Sequence, residues 1–120
     1  MTKTEALYKF FSSFGMPAYP SDSVPNDAIF PWLTYENKIG ESMGEAVEIT
    51  VTLWYHTESE APPNNKADEI YNRIGMGGVT LPYDNGMIWI KRSTTWSYSL
   101  HDENDTTIKG RALSLSLEFI

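Results

Sequence analysis

Two histidines and a cluster of acids are the residues best suited to chemistry in this chain of 120 residues. His56 and His101 are the only imidazoles, and His101 opens the run HDEND with Asp102, Glu103 and Asp105. Imidazole and carboxylate groups at such spacing can bind a metal ion or act as an acid–base pair. Adjacent strand residues point to opposite faces, so His101 and Asp102 converge only where the chain has already turned. We interpret HDEND more simply as a solvated hairpin turn.

The other sequence motifs also point away from catalysis. Glu58 and Glu60 form a second carboxylate pair, but acid–base work needs carboxylates in an apolar cleft, and this pair falls in a polar loop. HDEND departs from a calcium loop because Thr107 and Leu113 replace the required glycine and bidentate acid. The serines lack a Gly-x-Ser-x-Gly elbow, and the stretch GMGGVTLPYDNG lacks the Lys-Ser/Thr of a phosphate-binding loop, so we interpret it as a connector. The chain has no cysteine, which excludes thiolate chemistry. We expect no enzyme, no cofactor and no metal site.

Charge limits the partners of the chain. The formal net charge is -7, and an acidic surface is repelled by phosphate backbones, so we expect no binding to DNA. Lys91 and Arg92, flanked by Trp89 and Trp96, carry too little charge for a nucleic-acid platform. No apolar run approaches the roughly 20 residues of a membrane helix. The start MTKTEALYKFF lacks a secretory apolar region, so a cytoplasmic location without membrane contact is expected.

Apolar residues at helical spacing predict two helices. The first spans 3–14 and ends at Gly15. The second follows Asn65, which with Asp68 approximates a capping pair, and ends at Gly75. The apolar stripes are Leu7, Phe10, Phe11 and Phe14 in the first helix and Ala67, Ile70, Tyr71 and Ile74 in the second.

Alternation of apolar and polar residues predicts five strands. The clearest is at 47–54, where β-branched and apolar residues alternate with polar ones, and it forms a hairpin with the strand before it. The order α-β-β-α-β-β-β predicts an α/β (α+β) fold, a single small domain over 1–120 with a mainly antiparallel sheet and two helices packed on one face. The strands are expected at 30–36, 47–54, 87–91, 96–101 and 109–120, with a short turn at 93–95.

The segment from Ala18 to Tyr35, AYPSDSVPNDAIFPWLTY, combines prolines with large aromatic residues. Each proline fixes φ and removes a backbone donor, so the segment is stiff and extended and cannot be a helix. Its aromatic side chains favour burial, either against the protein's own core or against another chain. The sequence leaves both alternatives open.

In their order and character these segments resemble the small tail terminator (tail completion) proteins of long-tailed bacteriophages and prophages. The resemblance rests on a helix ending in FG, the segment PAYPSDSVPNDAIFPWLTYE, a strand EITVTLWYHT, a helix NKADEIYNRIG and the closing RALSLSLEFI. It covers nearly the whole chain and includes no catalytic signature. It implies a small α/β sandwich with a sheet covered by helices on one side.

The resemblance also implies a structural role in the virion. Such proteins form a hexameric ring at the head-proximal end of the tail tube, stop its polymerisation and present a surface to the head. The implied partners are further copies of the chain, the tail tube protein and the head–tail connector protein, and DNA passes through the ring without specific binding. The implied location is the neck of the virion, after assembly in the cytoplasm of the bacterial host.

Candidate residues for this role follow from physical argument. A ring interface favours aromatic anchors inside a polar rim, and a lumen with acidic side chains reduces adhesion of DNA. The candidate subunit or partner interface is Tyr19, Phe30, Trp32, Trp54 and Trp96. The candidate lumen acids are Glu58, Glu60, Asp102, Glu103 and Asp105.

Three alternatives remain. Another neck component, such as a head-closure protein or a tube subunit, would share this character, although a tube subunit would polymerise alone. A small acidic enzyme or ligand-binding domain would need a pocket with convergent polar groups. A DNA mimic would carry regularly spaced carboxylates along one face, whereas the acids here cluster in loops and on helix faces.

Overall fold

Two α-helices and six β-strands in one sheet make up the computed structural model, which describes residues 1–120. A 3-10 turn extends the first helix through Ser12–Phe14. The helices are α1 (Lys3–Phe11) and α2 (Ala61–Ile74). The strands are β1 (Ala18–Pro20), β2 (Trp32–Tyr35), β3 (Val47–His56), β4 (Val79–Tyr83), β5 (Gly86–His101) and β6 (Ile108–Phe119).

The sheet has the strand order β1-β2-β3-β6-β5-β4, so β1 and β4 are its edges. Only the β1–β2 pair is parallel, and the other neighbours are antiparallel. Both helices cover the same face, where 21 buried residues from helices and strands form one hydrophobic core. The prediction of a single α+β domain with a mainly antiparallel sheet and two helices on one face is therefore confirmed. Neither helix combines the length and apolarity needed to cross a membrane.

Helix α1 begins and ends where its sequence signals lie. The Thr2 hydroxyl accepts a bond from the Glu5 backbone N–H at 3.1 Å, and the Glu5 carboxylate accepts one from the Thr2 N–H at 2.9 Å, a reciprocal capping box. Hydrogen bonding from Thr2, first of all from its backbone N–H, to the Glu5 carboxylate holds the pKa of Glu5 below its usual value. Gly15 follows the 3-10 turn at φ +82°, a conformation that glycine adopts without steric cost. The predicted end of this helix at Gly15 is thus confirmed.

Helix α2 begins at Ala61, earlier than predicted. Pro62 and Pro63 occupy its first turn, where a missing N–H removes no intrahelical bond. Asn65 therefore lies inside the helix, and its predicted capping pair with Asp68 is wrong. The residue before the helix, Glu60, makes no side-chain cap.

Strand β5 is one long strand, so the predicted turn at 93–95 is wrong. Its two halves are the strands predicted at 87–91 and 96–101. A bulge separates them, since Arg92 pairs with Leu115 and Ser97 pairs with Leu113 on β6. Extra residues in one strand of an antiparallel pair bend that strand without ending it, and β6 continues alongside both halves.

Two further strands form where no strand was predicted. Strand β4 lies in the glycine-rich stretch interpreted as a connector, and β1 lies in the proline segment. Both are edge strands, and an edge tolerates Pro20 and Pro82 because only one side of the strand needs backbone donors. The observed order is therefore α-β-β-β-α-β-β-β.

Candidate functional site

The sheet face opposite the helices, which we call the outer face, bears large aromatic side chains. On β3, buried Leu53 faces the core, so its neighbours Thr52 and Trp54 face outward. Directly paired residues of neighbouring strands share a face, and this extends the assignment across the sheet. The pairings place these residues on the outer face: Tyr19, Trp32, Thr34, Glu48, Thr50, Thr52, Trp54, His56, Trp89, Lys91, Tyr98, Leu100, Ile108, Gly110, Ala112, Ser114, Ser116 and Glu118.

Phe30, Trp32, Trp54 and His56 form an aromatic cluster on this face. The rings of Phe30 and Trp32 stack with centroids 4.2 Å apart and an interplanar angle of 30°. Trp32 pairs with Trp54 across β2 and β3, and the imidazole of His56 lies 5.6 Å from the ring of Phe30. Phe30, Trp32 and Trp54 are half-buried and His56 is exposed, so part of the cluster contacts solvent. The structure thus brings together three of the five aromatic residues predicted as interface anchors.

Tyr19 and Trp96 lie apart from this cluster. Tyr19 pairs with Thr34 at the β1 edge and is half-buried on the outer face. Trp96 lies at the bulge of β5, where its ring meets that of Tyr71 on α2 edge-on, with centroids 5.5 Å apart. The indole N–H of Trp96 is buried and has no acceptor. Trp96 thus packs against the helix layer.

The five candidate lumen acids lie at one end of the sheet, which we call the acidic end. Strands β3 and β5 both run antiparallel to β6, so the loops that follow them emerge at the same end. The backbone N–H of Thr57 in the first loop donates to the Thr107 carbonyl in the second at 2.6 Å. Glu58 and Glu60 therefore lie in a loop that is joined to the HDEND turn.

Two of these acids hold the turn in shape. The Asp102 carboxylate accepts from the backbone N–H groups of Asn104 and Asp105 at 2.8 and 3.1 Å. The Asp105 carboxylate accepts from the Thr107 N–H at 2.9 Å and its hydroxyl at 2.5 Å. Hydrogen bonds from Thr107 hold the pKa of Asp105 below its usual value. The carboxylates of Glu58, Glu60 and Glu103 have no comparable bonds within the chain.

The histidines do not share a site. His56 belongs to the aromatic cluster, whereas His101 is exposed and pairs with Lys109 on β6. No three side chains among the histidines, aspartates and glutamates are placed to hold a metal ion.

Two concave regions lie away from the aromatic cluster. One, which we call the edge groove, has a volume of about 440 Å³ and lies between α1 and β4, where Ala6, Phe10, Leu81 and Tyr83 supply apolar walls. The other, of about 550 Å³, is polar and lies beside the bulge of β5. There Ser93 donates to the Glu48 carboxylate at 2.5 Å. The sequence predicted neither region. One wall of the edge groove belongs to β4, and one wall of the polar region belongs to the bulge of β5, and neither β4 nor the bulge was predicted.

Comparison of the chain with models of known protein families, with curated proteins and with solved structures gives no match. The function must therefore be argued from the surface itself.

Proposed function

We propose that this protein is a structural component of a phage or prophage tail. Copies form a ring that caps the head-proximal end of the tail tube, stops its polymerisation and provides the joining surface for the head. The partners in this proposal are further copies of the chain, the tail tube protein and the head–tail connector protein. The protein then acts in the neck of the virion and carries out no catalysis.

The aromatic cluster on the outer face is the observation that carries this proposal. Stacked Phe30 and Trp32 extend from the stiff proline segment onto a face that no helix covers. Half-exposed aromatic side chains surrounded by Ser and Thr have the composition of an interface anchor within a polar rim. Thr52, on β3 beside Trp54, and Ser114, on the neighbouring β6, supply half-buried polar side chains of that rim.

The acidic end supports the path of DNA through the ring. Five acids are gathered in two joined loops at one end of each subunit, so a ring of copies would repeat this charge around its axis. Such a lumen would repel the phosphate backbone, and without cationic side chains it would release no counterions from DNA, so that driving force for binding would be missing. DNA would then pass without adhering.

Electron microscopy of tail tubes tests the proposal. The purified protein is added to preformed tubes of the parent phage, and their ends and lengths are compared with untreated tubes. We expect rings on one end of each tube and no further growth when tube subunits are supplied. Tubes that remain uncapped and continue to grow would contradict the proposal, and filaments formed by the protein alone would indicate a tube subunit instead.

A further inference from the structure

The edge groove is an apolar concavity that the protein's own chain leaves open. Ala6 and Phe10 of α1 form one wall, and Leu81, Pro82 and Tyr83 of β4 form the other. Its volume of about 440 Å³ can receive one or two side chains of another molecule. Because β4 is an edge strand, the groove lies at the margin of the molecule.

Two basic side chains that pair with no carboxylate lie at or beside the edge groove. Lys9 lines it and takes part in none of the ion pairs of the chain. Arg73 donates to the Ser13 carbonyl at 3.1 Å and to the Ser13 hydroxyl at 3.0 Å, and Ser13 also lines the groove. The one acid in its lining, Asp84, is paired with the N-terminal ammonium group of Met1. The groove thus favours an acidic and apolar occupant.

The opposite edge of the sheet carries a segment of that chemistry. Residues 21–31, which we call the proline arm, join the edge strand β1 to its neighbour β2. Ile29 in this arm is 80% exposed, so its aliphatic side chain is free to contact another molecule. Asp22 and Asp27 are also exposed. The sequence contains no lysine or arginine between Lys9 and Lys38, so the arm is purely acidic.

We propose that the proline arm of one copy docks in the edge groove of the next copy, with Ile29 inserted between α1 and β4 and Asp27 facing Lys9. This inference rests on the proposed ring, because it names the contact that would join its subunits. The two surfaces lie at opposite edges of one sheet, so the contact is heterologous and repeats from copy to copy, which closes a ring when the rotation fits. The stiff arm loses little conformational entropy on docking.

Cross-linking between two variants tests the docking. The chain has no cysteine, so Asn26→Cys in the arm and Thr80→Cys on β4, outside the groove lining, introduce single thiols at exposed positions and leave the arm–groove contacts unchanged. The two proteins are mixed at high concentration and low salt with a short flexible bismaleimide. The matched control pairs Asn26→Cys with Thr94→Cys, an exposed position at the β5 bulge. We expect the arm–groove pair to give at least five-fold more heterodimer than the control pair.

Further substitutions make the result specific. Ile29→Asp in the arm should reduce cross-linking to the control level, whereas Ile29→Leu should preserve it. Lys9→Glu should also reduce it, and combining Lys9→Glu in one copy with Asp27→Lys in the other should restore it. Cross-linking no greater than the control, or unaffected by Ile29→Asp, would overturn the docking.

The outcome is separable from that of the proposed function. Rings on tubes without arm–groove cross-linking would overturn the docking alone. Efficient cross-linking by a protein that does not cap tubes would support the docking and count against the proposed function.

Discussion

The indole of Trp54 lies over Gly110 on the neighbouring strand, so closely that a Cβ at position 110 would come within 3.0 Å of Trp54 Cζ3. The same Cβ would also come within 3.0 Å of the Leu100 Cβ. A side chain at position 110 would therefore push Trp54 or Leu100 aside, whereas glycine lets the indole lie against the sheet. The aromatic cluster therefore packs against the backbone of Gly110, and its geometry depends on the absence of a side chain there.

Gly110→Ala should destabilise the fold and move Trp54. The added methyl group meets Trp54 and Leu100, which must shift to make room, at a cost of about 1–3 kcal/mol as for other overpacked sites. Urea unfolding followed by tryptophan fluorescence measures this cost. The matched control is Gly77→Ala, where an added Cβ meets nothing within 4 Å. Equal effects of the two substitutions would contradict the packing argument.

If the proposed function holds, Phe30→Ala should leave the protein folded but prevent it from capping tail tubes. Phe30 is half-buried and stacks only on the cluster, so its loss should destabilise the monomer less than loss of a core aromatic, whose truncation costs about 3–5 kcal/mol. Circular dichroism checks the fold and electron microscopy checks capping. Tyr8→Ala removes an aromatic ring that is 53% exposed on α1, and capping should survive it. If the Phe30 variant still caps tubes, the aromatic cluster does not form the contact that capping requires.

The sequence predicts the elements whose pattern is local. Leu7, Phe10 and Phe11 determine α1 by their spacing, and strict alternation determines β3 and the outward direction of Trp54. The sequence also indicates the turn at Asp102, because an aspartate side chain readily accepts a hydrogen bond from the backbone N–H two residues further on. These features need no knowledge of the rest of the fold.

Features that depend on distant partners could not be predicted. Strands β1 and β4 are short and contain proline, and only their pairing with β2 and β5 makes them strands. The stacking of Phe30 near His56 requires the β2–β3 register, which no single segment encodes. The bulge of β5 likewise exists only relative to β6, and its Ser and Thr residues resemble a turn when β6 is ignored.

Trp96→Phe should leave the stability within about 1 kcal/mol of the wild type, because it removes a buried N–H that has no acceptor while retaining the aromatic contact with Tyr71. Trp96→Ala should instead cost about 3 kcal/mol, near the lower end for buried aromatics, since Trp96 is partly exposed. Chemical unfolding of both variants measures the difference. A Phe variant as unstable as the Ala variant would indicate that the N–H has a partner, such as a bound water.

Asp105→Asn should destabilise the protein at neutral pH and have little effect in strong acid. Hydrogen bonds from Thr107 lower the folded-state pKa of Asp105, so its contribution is present above the unfolded value of about 3.9 and is lost as the pH falls through the lower folded value. Thermal unfolding of both proteins at pH 7 and near pH 2.5 gives the comparison. Thr107→Val, which removes the hydroxyl donor, should weaken the same pH dependence. A difference in unfolding temperature between the wild type and the Asn variant that is larger near pH 2.5 than at pH 7 would contradict this assignment.

In the proposed ring, Glu58→Gln combined with Glu103→Gln should slow the passage of DNA and leave the ring intact. These two acids are exposed and their carboxylates hold no part of the loops, in contrast to Asp102 and Asp105, whose removal would also disturb the turn. Removing two negative charges from every copy would reduce the repulsion that keeps the phosphate backbone off the proposed lumen. Electron microscopy should show normal capping, while the rate of DNA ejection from assembled phage should fall several-fold, most clearly at low salt because screening weakens exposed charges. Unchanged ejection at low salt would place these acids away from the path of DNA.

The control for net charge is Glu41→Gln with Glu45→Gln, which removes the same charge from the loop at the other end of the sheet. This control should leave the rate of ejection unchanged, which would tie the effect to the acidic end and not to the net charge.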